Sequence, residues 1–402
     1  PKDTAGLTFG TNGFRLKCAD NSSSAALGTD SSGNSNTWTT NNFVATAGVT
    51  PNQGFDAVTY TGNGGTQSIS SLAFQPDFVW LKGRSQSNVS HQLYDSVRGV
   101  STILQTDNTG NEFTVSGVSA FNSNGFTLGN NGGGNNSGST YVAWAWKAGG
   151  GASSNSDGSI TSSVSANAAY GFSIVSYNSG SSNGNYTLGH GLSSAPKFII
   201  HKSRSTGNWW VFHSSVIDDT AKYLQLNSGN AIATNSAPMW GASLPTSSVF
   251  GVRVGDLIGT NTDTIAYVWS EVAGFSKFGS YTGNGSATGP VVTTGFKPRW
   301  IMVKGSSHAS NWNIVDTARS SSNPQSNILR ANSAAAEFST PTGQYGIAFD
   351  TLDDGFQLKS GSSTNDVNQT GETYIYAAFA ETGPGPAGID SLVDTPTNAA
   401  EP

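Results

Sequence analysis

The chain states nearly the same sequence three times. Phe74-Gln-Pro76-Asp-Phe78-Val-Trp80-Leu-Lys82-Gly-Arg-Ser85 returns as Ala195-Pro196-Lys-Phe198-Ile-Ile-His-Lys202-Ser-Arg-Ser205, and again as Phe296-Lys-Pro298-Arg-Trp300-Ile-Met-Val-Lys304-Gly-Ser-Ser307. The copies lie roughly 100 to 120 residues apart, too far for solenoid units of about 20 to 50 residues and right for small β domains of about 100. A chain of 402 residues has room for three such cores with flanks. This divides it into a lead-in over 1–53, repeats over 54–150, 169–275 and 276–382, a Gly/Ser-rich linker over 151–168, and a tail over 383–402 too poor in apolar residues for a core.

Each copy passes the same stations. An extended run ends in a Gly/Asn turn at Gly62-Asn63, Asn178 and Gly283-Asn284, residues that tolerate positive φ. The Pro-led strand follows, with proline where no ladder donor is needed. Its near-continuous apolar character suits a central strand covered on both faces. A second apolar stretch contains Leu93-Tyr94, Trp209-Trp210 and Trp312, and then Asp95-x-x-Arg98 matches Asp316-x-x-Arg319 while the middle copy reads His213-Ser-Ser-Val216. Gly125-Phe-Thr-Leu128, Gly251-Val-Arg-Val254 and Gly355-Phe-Gln-Leu358 precede the closing strands that end in Trp146, Trp269 and Phe379. Turn signals every 8 to 15 residues and no sustained helical period predict an all-β protein of tandem antiparallel β-sandwich or jelly-roll-like domains with Gly/Ser/Asn-rich loops.

Composition narrows the function. Net charge is −6 and the 19 Lys and Arg are scattered, which disfavours nucleic acid and anionic membranes. Only 11% of residues are charged while 10% are aromatic, the opposite of a disordered chain. The single Cys18 excludes an intrachain disulfide framework and a cysteine zinc cage, and no apolar run reaches the roughly 18 residues that would suggest a spanning helix. A chain beginning at Pro1 reads as a processed or partial product.

The residues that could carry chemistry do not assemble into a catalytic pattern. Glu112 and Glu337 occupy matching stations and read as structural partners of Arg98 and Arg319. Asp218-Asp219 and Asp353-Asp354 sit at turns, and His91, His190, His201, His213 and His308 show no ligand spacing, so no metal or cofactor is expected. Gly129 to Gly134 lacks the lysine of a phosphate loop and reads as a loop. Aromatics remain: Trp209, Trp210 and Trp312 are candidates for stacking a glycan, and adjacent Trp209 and Trp210 point to opposite faces if extended.

Taken together, Phe-x-Pro-x-aromatic-Val/Ile-x-x-Lys, Asp-x-x-Arg, Gly-Phe-x-Leu and the aromatic closing strand resemble a repeated uncharacterised β domain of tail and fibre proteins of bacteriophages, marine ones notably. The flanks Ala19 to Asn34 with Trp38, and Asp390 to Asn398, resemble joining segments of the same proteins. The resemblance implies a structural virion surface protein, a phage tail fibre or other appendage involved in host attachment. It further implies assembly as a homo-oligomer, three chains being usual, with other virion proteins and a host surface glycan as partners. It supplies no catalytic residue, and the chain is expected not to be an enzyme. A glycan-binding adhesin or lectin of a bacterial surface, and a polysaccharide depolymerase, are the alternatives.

Overall fold

The apolar runs of each repeat form a six-stranded antiparallel sheet in a computed structural model that describes residues 10, 11, 13, 30–36, 49–130, 132–339, 346–360 and 366–381. In the first repeat the opening strand Phe55–Thr61 pairs with the closing strand Thr140–Trp146. That strand pairs with the Pro-led strand Phe78–Gly83, and Gln92–Asp95, Gly99–Leu104 and Phe113–Thr114 continue the sheet. The second repeat has the same order in Phe172–Asn178, Asp263–Trp269, Phe198–Ser203, Trp209–His213, Lys222–Gln225 and Ala233–Thr234. The third has it in Ser276–Thr282, Thr373–Ala380, Pro298–Gly305, Asn313–Asp316, Asn327–Arg330 and Phe338–Ser339. Registers coincide: Phe78, Phe198 and Trp300 lie opposite Asp95, His213 and Asp316 on one side and Trp146, Trp269 and Phe379 on the other.

Side chains alternate across a strand, so the continuous apolar runs divide between two cores. Val79 and Leu81 face outward and pack with Ile69, Val118, Phe126 and Leu128 under a small sheet of Gln67–Ile69, Gly125–Leu128 and Val118–Asn122. Ile199 in the second repeat, and Ile301 and Val303 in the third, do the same beneath Gly184–Gly189 with Val249–Val254, and beneath Val291–Thr293 with Gly355–Leu358 and Phe349–Leu352. The sandwich architecture expected from the turn spacing is present in each copy. The glycine of the Gly-Phe-x-Leu station is set by close approach: a Cβ on Gly125, Gly251 or Gly355 would collide with the carbonyl oxygen of Ile69, Trp240 or Val292.

The inner faces meet one another. Phe78, Trp80, Trp144 and Trp146, with Phe198, Trp209, Tyr267 and Trp269, and Trp300, Met302, Trp312 and Phe379, form a single buried cluster. Ring contacts cross every boundary: Phe78 stacks on Tyr267 with centroids 4.3 Å apart, Phe198 on Phe278 at 5.8 Å, and Trp146 meets Trp300 edge-on at 5.8 Å. Thr50–Pro386 is accordingly one unit, in which three sheets surround a shared aromatic centre.

Two features differ from the sequence reading. The repeats are not independent beads, because half of each central strand is covered only by the other two repeats. The stretch 151–168, expected to be a flexible linker, contributes strands Ser153–Asn155 and Ser162–Asn167, which extend the second repeat's sheet to eight strands beside Phe172–Asn178. Its Ser-rich composition hides a period of two in which Ser162 and Val164 are buried. Gly132–Asn135, within the Gly/Asn loop, makes a single helical turn.

The described residues 10, 11, 13 and 30–36 belong to a second unit. There Asp30 organises a turn: Oδ1 accepts from the Ser32 amide at 2.8 Å and Oδ2 from the Asn36 amide at 2.9 Å, while the Asn34 and Asn36 side chains donate to the Gly13 carbonyl. Residues 14–17 of the lead-in, Cys18, Trp38 and the tail 383–402 lie outside the described residues.

Candidate functional site

The conspicuous polar motif of the repeats builds their junctions. Arg98 Nε donates to Asp95 Oδ2 at 2.6 Å with both side chains fully buried, and its Nη2 reaches the Leu93 carbonyl at 2.8 Å. The turn that presents Arg98 is held by Asp95 Oδ1, which accepts from the amides of Val97 and Arg98. From the second repeat, Tyr267 donates its hydroxyl to Asp95 Oδ2 at 2.8 Å. Glu112 lies 3.5 Å from Arg98 and takes Arg204 of the second repeat at 2.7 Å. Burial opposes the charge on Arg98, but Asp95, Tyr267 and Glu112 outweigh it and hold the guanidinium above its ordinary pKa.

The third repeat engages the first in the same way. Arg319 Nε donates to Asp316 Oδ2 at 2.6 Å and Nη1 to Glu337 at 2.8 Å, the indole of Trp144 donates to Asp316 Oδ2 at 2.9 Å, and Arg84 pairs with Glu337 at 2.8 Å. The remaining boundary, second to third, has no ion pair at these stations. His213 stands where the others have Asp, Val216 where they have Arg, Ile232 where they have Glu, and Ser306 where they have the partner Arg. Ala377 occupies the position of Tyr267 and Trp144. His213 Nε2 donates instead to the Tyr376 carbonyl at 3.1 Å, while Nδ1 accepts from the Ser215 amide. Burial pushes the ring's pKa down to about 4, so it stays neutral. The backbone bond is kept at all three boundaries: Glu112, Ile232 and Glu337 donate to the carbonyls of Arg204, Ser306 and Arg84, each at 2.8 Å.

Trp209 and Trp312 lie in the central cluster, 0% and 1% exposed, so no face of either ring is open to a sugar. Each donates its indole N–H to the previous repeat: Trp209 to the Gln105 carbonyl at 2.8 Å and Trp312 to the Gln225 carbonyl at 2.9 Å. His91 completes the set with Nε2 on the Arg330 carbonyl at 2.9 Å, and its Nδ1 accepts from the Trp80 indole. Trp210 projects to the opposite face, half-buried against Tyr223 with rings 5.1 Å apart.

Three lysines also turn inward. Lys82, Lys202 and Lys304 are fully buried with Nζ on the carbonyls of Gly83, Ser203 and Gly305, and Lys304 also reaches Gly229 of the second repeat at 3.2 Å. Burial lowers each to about 8, against the attraction of Asp107, Glu112 and Asp366 respectively. Elsewhere Asp218 pairs with Lys222 on the surface, Asp219 caps a turn, and the Asp354 carbonyl closes the turn at Thr294-Gly295. Among the described residues no three His, Cys, Asp or Glu side chains are grouped to hold a metal.

Outside these junctions the repeats also differ on their outer faces. In the first repeat a concavity of about 340 Å³ opens beside Phe113, which is 45% exposed, and it is lined by Asn88, Ser90, Gln92, Gln105 and Asn136 among others. Sequence reasoning passed over Phe113 because a lone phenylalanine in a Ser/Thr/Asn stretch reads as a strand residue. A shallower concavity on the second repeat, about 400 Å³, is lined by Ser154, Ser162, Tyr177 and Asp263 along its sheet.

Residues 50–383 match the family described as a domain of unknown function, DUF7483, and the chain belongs to that family. The match spans all three repeats and nearly coincides with the Thr50–Pro386 unit. No curated protein matches the chain.

Proposed function

We propose that this member of the family is a structural virion surface protein, a phage tail fibre or comparable appendage involved in host attachment, without catalysis of its own. The observation that carries the reading is the use made of the repeated charged residues. Asp95 with Arg98, and Asp316 with Arg319, are buried and paired with one another and with groups of a neighbouring repeat, so they serve cohesion rather than a reacting ligand. Multiplied β modules with neutral Ser/Thr/Asn surfaces suit a protein that builds length and presents loops. The resemblance of the repeated strands and of both flanks to phage fibre sequences points the same way.

Chains assemble as a homo-oligomer in this reading, with three as the number. The three repeats already close their aromatic centre within one chain, so further chains add reach and avidity rather than completing a core. Sedimentation of the full chain at micromolar concentration tests the assembly: a three-chain mass supports the fibre reading, and a strictly monomeric one contradicts it.

A further inference from the structure

We propose that the concavity beside Phe113 is a binding site for a neutral oligosaccharide. Phe113 sits on a strand paired to Thr102-Ile103, which anchors its backbone, and it is one of three large apolar side chains exposed among the described residues. Around it the polar lining is uncharged. Asn88 and Asn136 are exposed with side chains that make no hydrogen bond inside the protein, and Gln105 uses its carbonyl for Asn108 while its amide N–H groups stay available. An aromatic face flanked by primary amides matches a sugar ring, whose C–H face stacks while its hydroxyls both donate and accept. No lining cation would hold a phosphate or uronate, and Asp107 behind Ser90 would repel one.

The other two repeats show what the same strands look like when this place is filled. In the second, Trp210 and Tyr223 replace Gln92 and Ile103 and pack edge to face. In the third, Arg330 replaces Gln105, lies 4.8 Å from the Phe338 ring and is held by Asp366 at 2.8 Å. The pairing of the last two strands is the same in all three copies, so along that edge the first repeat departs in its side chains.

The site stands apart from the appendage reading, and its test does not depend on assembly. The full chain is titrated by calorimetry with maltoheptaose, cellohexaose, mannohexaose and chitohexaose, and with an oligogalacturonate as an acidic comparison. At least one neutral probe is expected to bind. Phe113→Ala should weaken it about tenfold or more, Phe113→Trp should keep it, and Gln105→Arg, which copies the third repeat, should remove it. Because Phe113 is exposed, the Ala variant is expected to keep the parent's unfolding midpoint; if it does not fold, Gln105→Arg decides. The proposal is overturned if no neutral probe binds at millimolar concentration, if binding survives both Phe113→Ala and Gln105→Arg, or if the acidic oligomer binds more tightly than every neutral one.

Discussion

Tyr267 donates its hydroxyl to Asp95 across 172 residues of sequence, and the bond joins the first repeat to the second at 2.8 Å. Because Asp95 also neutralises a fully buried arginine, its removal leaves an unpaired charge in the interior. Asp95→Ala should therefore cost about 3 to 5 kcal/mol in chemical denaturation. Copying the ion-free boundary instead, with Asp95→His, Arg98→Val, Glu112→Ile, Arg204→Ser and Tyr267→Ala together, should recover more than half of that loss. A quintuple variant as unstable as the single one would show that the boundaries are not interchangeable.

The neutral His213 predicts an acid limit. Its folded pKa is about 4 because it is buried, against about 6.5 in an unfolded chain. Below 6.5 the unfolded state takes up the proton and the folded state does not. The stability it contributes is thus complete above pH 6.5 and lost as pH falls towards 4, by about 2 to 3 kcal/mol at most. His201, lowered by burial to about 3, adds to the same slope. Unfolding free energy measured from pH 7 to pH 4 should fall, and His213→Gln should flatten part of the fall. An unchanged slope would mean that the ring is protonated in the fold.

Lysines produce the opposite edge. Lys82, Lys202 and Lys304 carry folded pKa values of about 8 through burial, below their ordinary 10.5. Between those values the unfolded chain binds more protons, so stability should rise as pH goes from 8 to 9.5. Lys202→Met should reduce the rise by about a third if the three sites contribute alike. A flat profile in the parent protein would contradict the buried placement.

How much of this was legible follows from which contacts are local. The turn that pairs Asp95 with Arg98 lies within four residues and shows in the motif, as does the assignment of Glu112 and Glu337 to Arg98 and Arg319. Their cross-repeat partners Arg204 and Arg84 do not, since a salt bridge between repeats leaves no spacing rule. The signal was nonetheless written in the copies: Glu112 and Glu337 are each answered by an arginine of another repeat, and where Ile232 replaces Glu, Ser306 replaces Arg. The shared centre was hidden for another reason. An apolar run such as Phe78 to Leu81 says that both faces are covered, but not that another repeat covers one of them.

Trp209 and Trp312 belong to that shared centre, whereas Trp210 lies on the opposite face. Trp209→Ala or Trp312→Ala empties a large volume in the shared centre and should cost about 3 to 5 kcal/mol, measured by denaturant midpoint, whereas half-buried Trp210→Ala should cost about 1 to 2 kcal/mol. Equal and small losses at all three positions would argue that Trp209 and Trp312 are exposed.

Three repeats that share one buried centre fold as one body, and scanning calorimetry of the full chain tests this directly. The Thr50–Pro386 unit should unfold in a single transition whose calorimetric and van't Hoff enthalpies agree. Three separable transitions, each with the enthalpy of about 100 residues, would show three independent domains and contradict it.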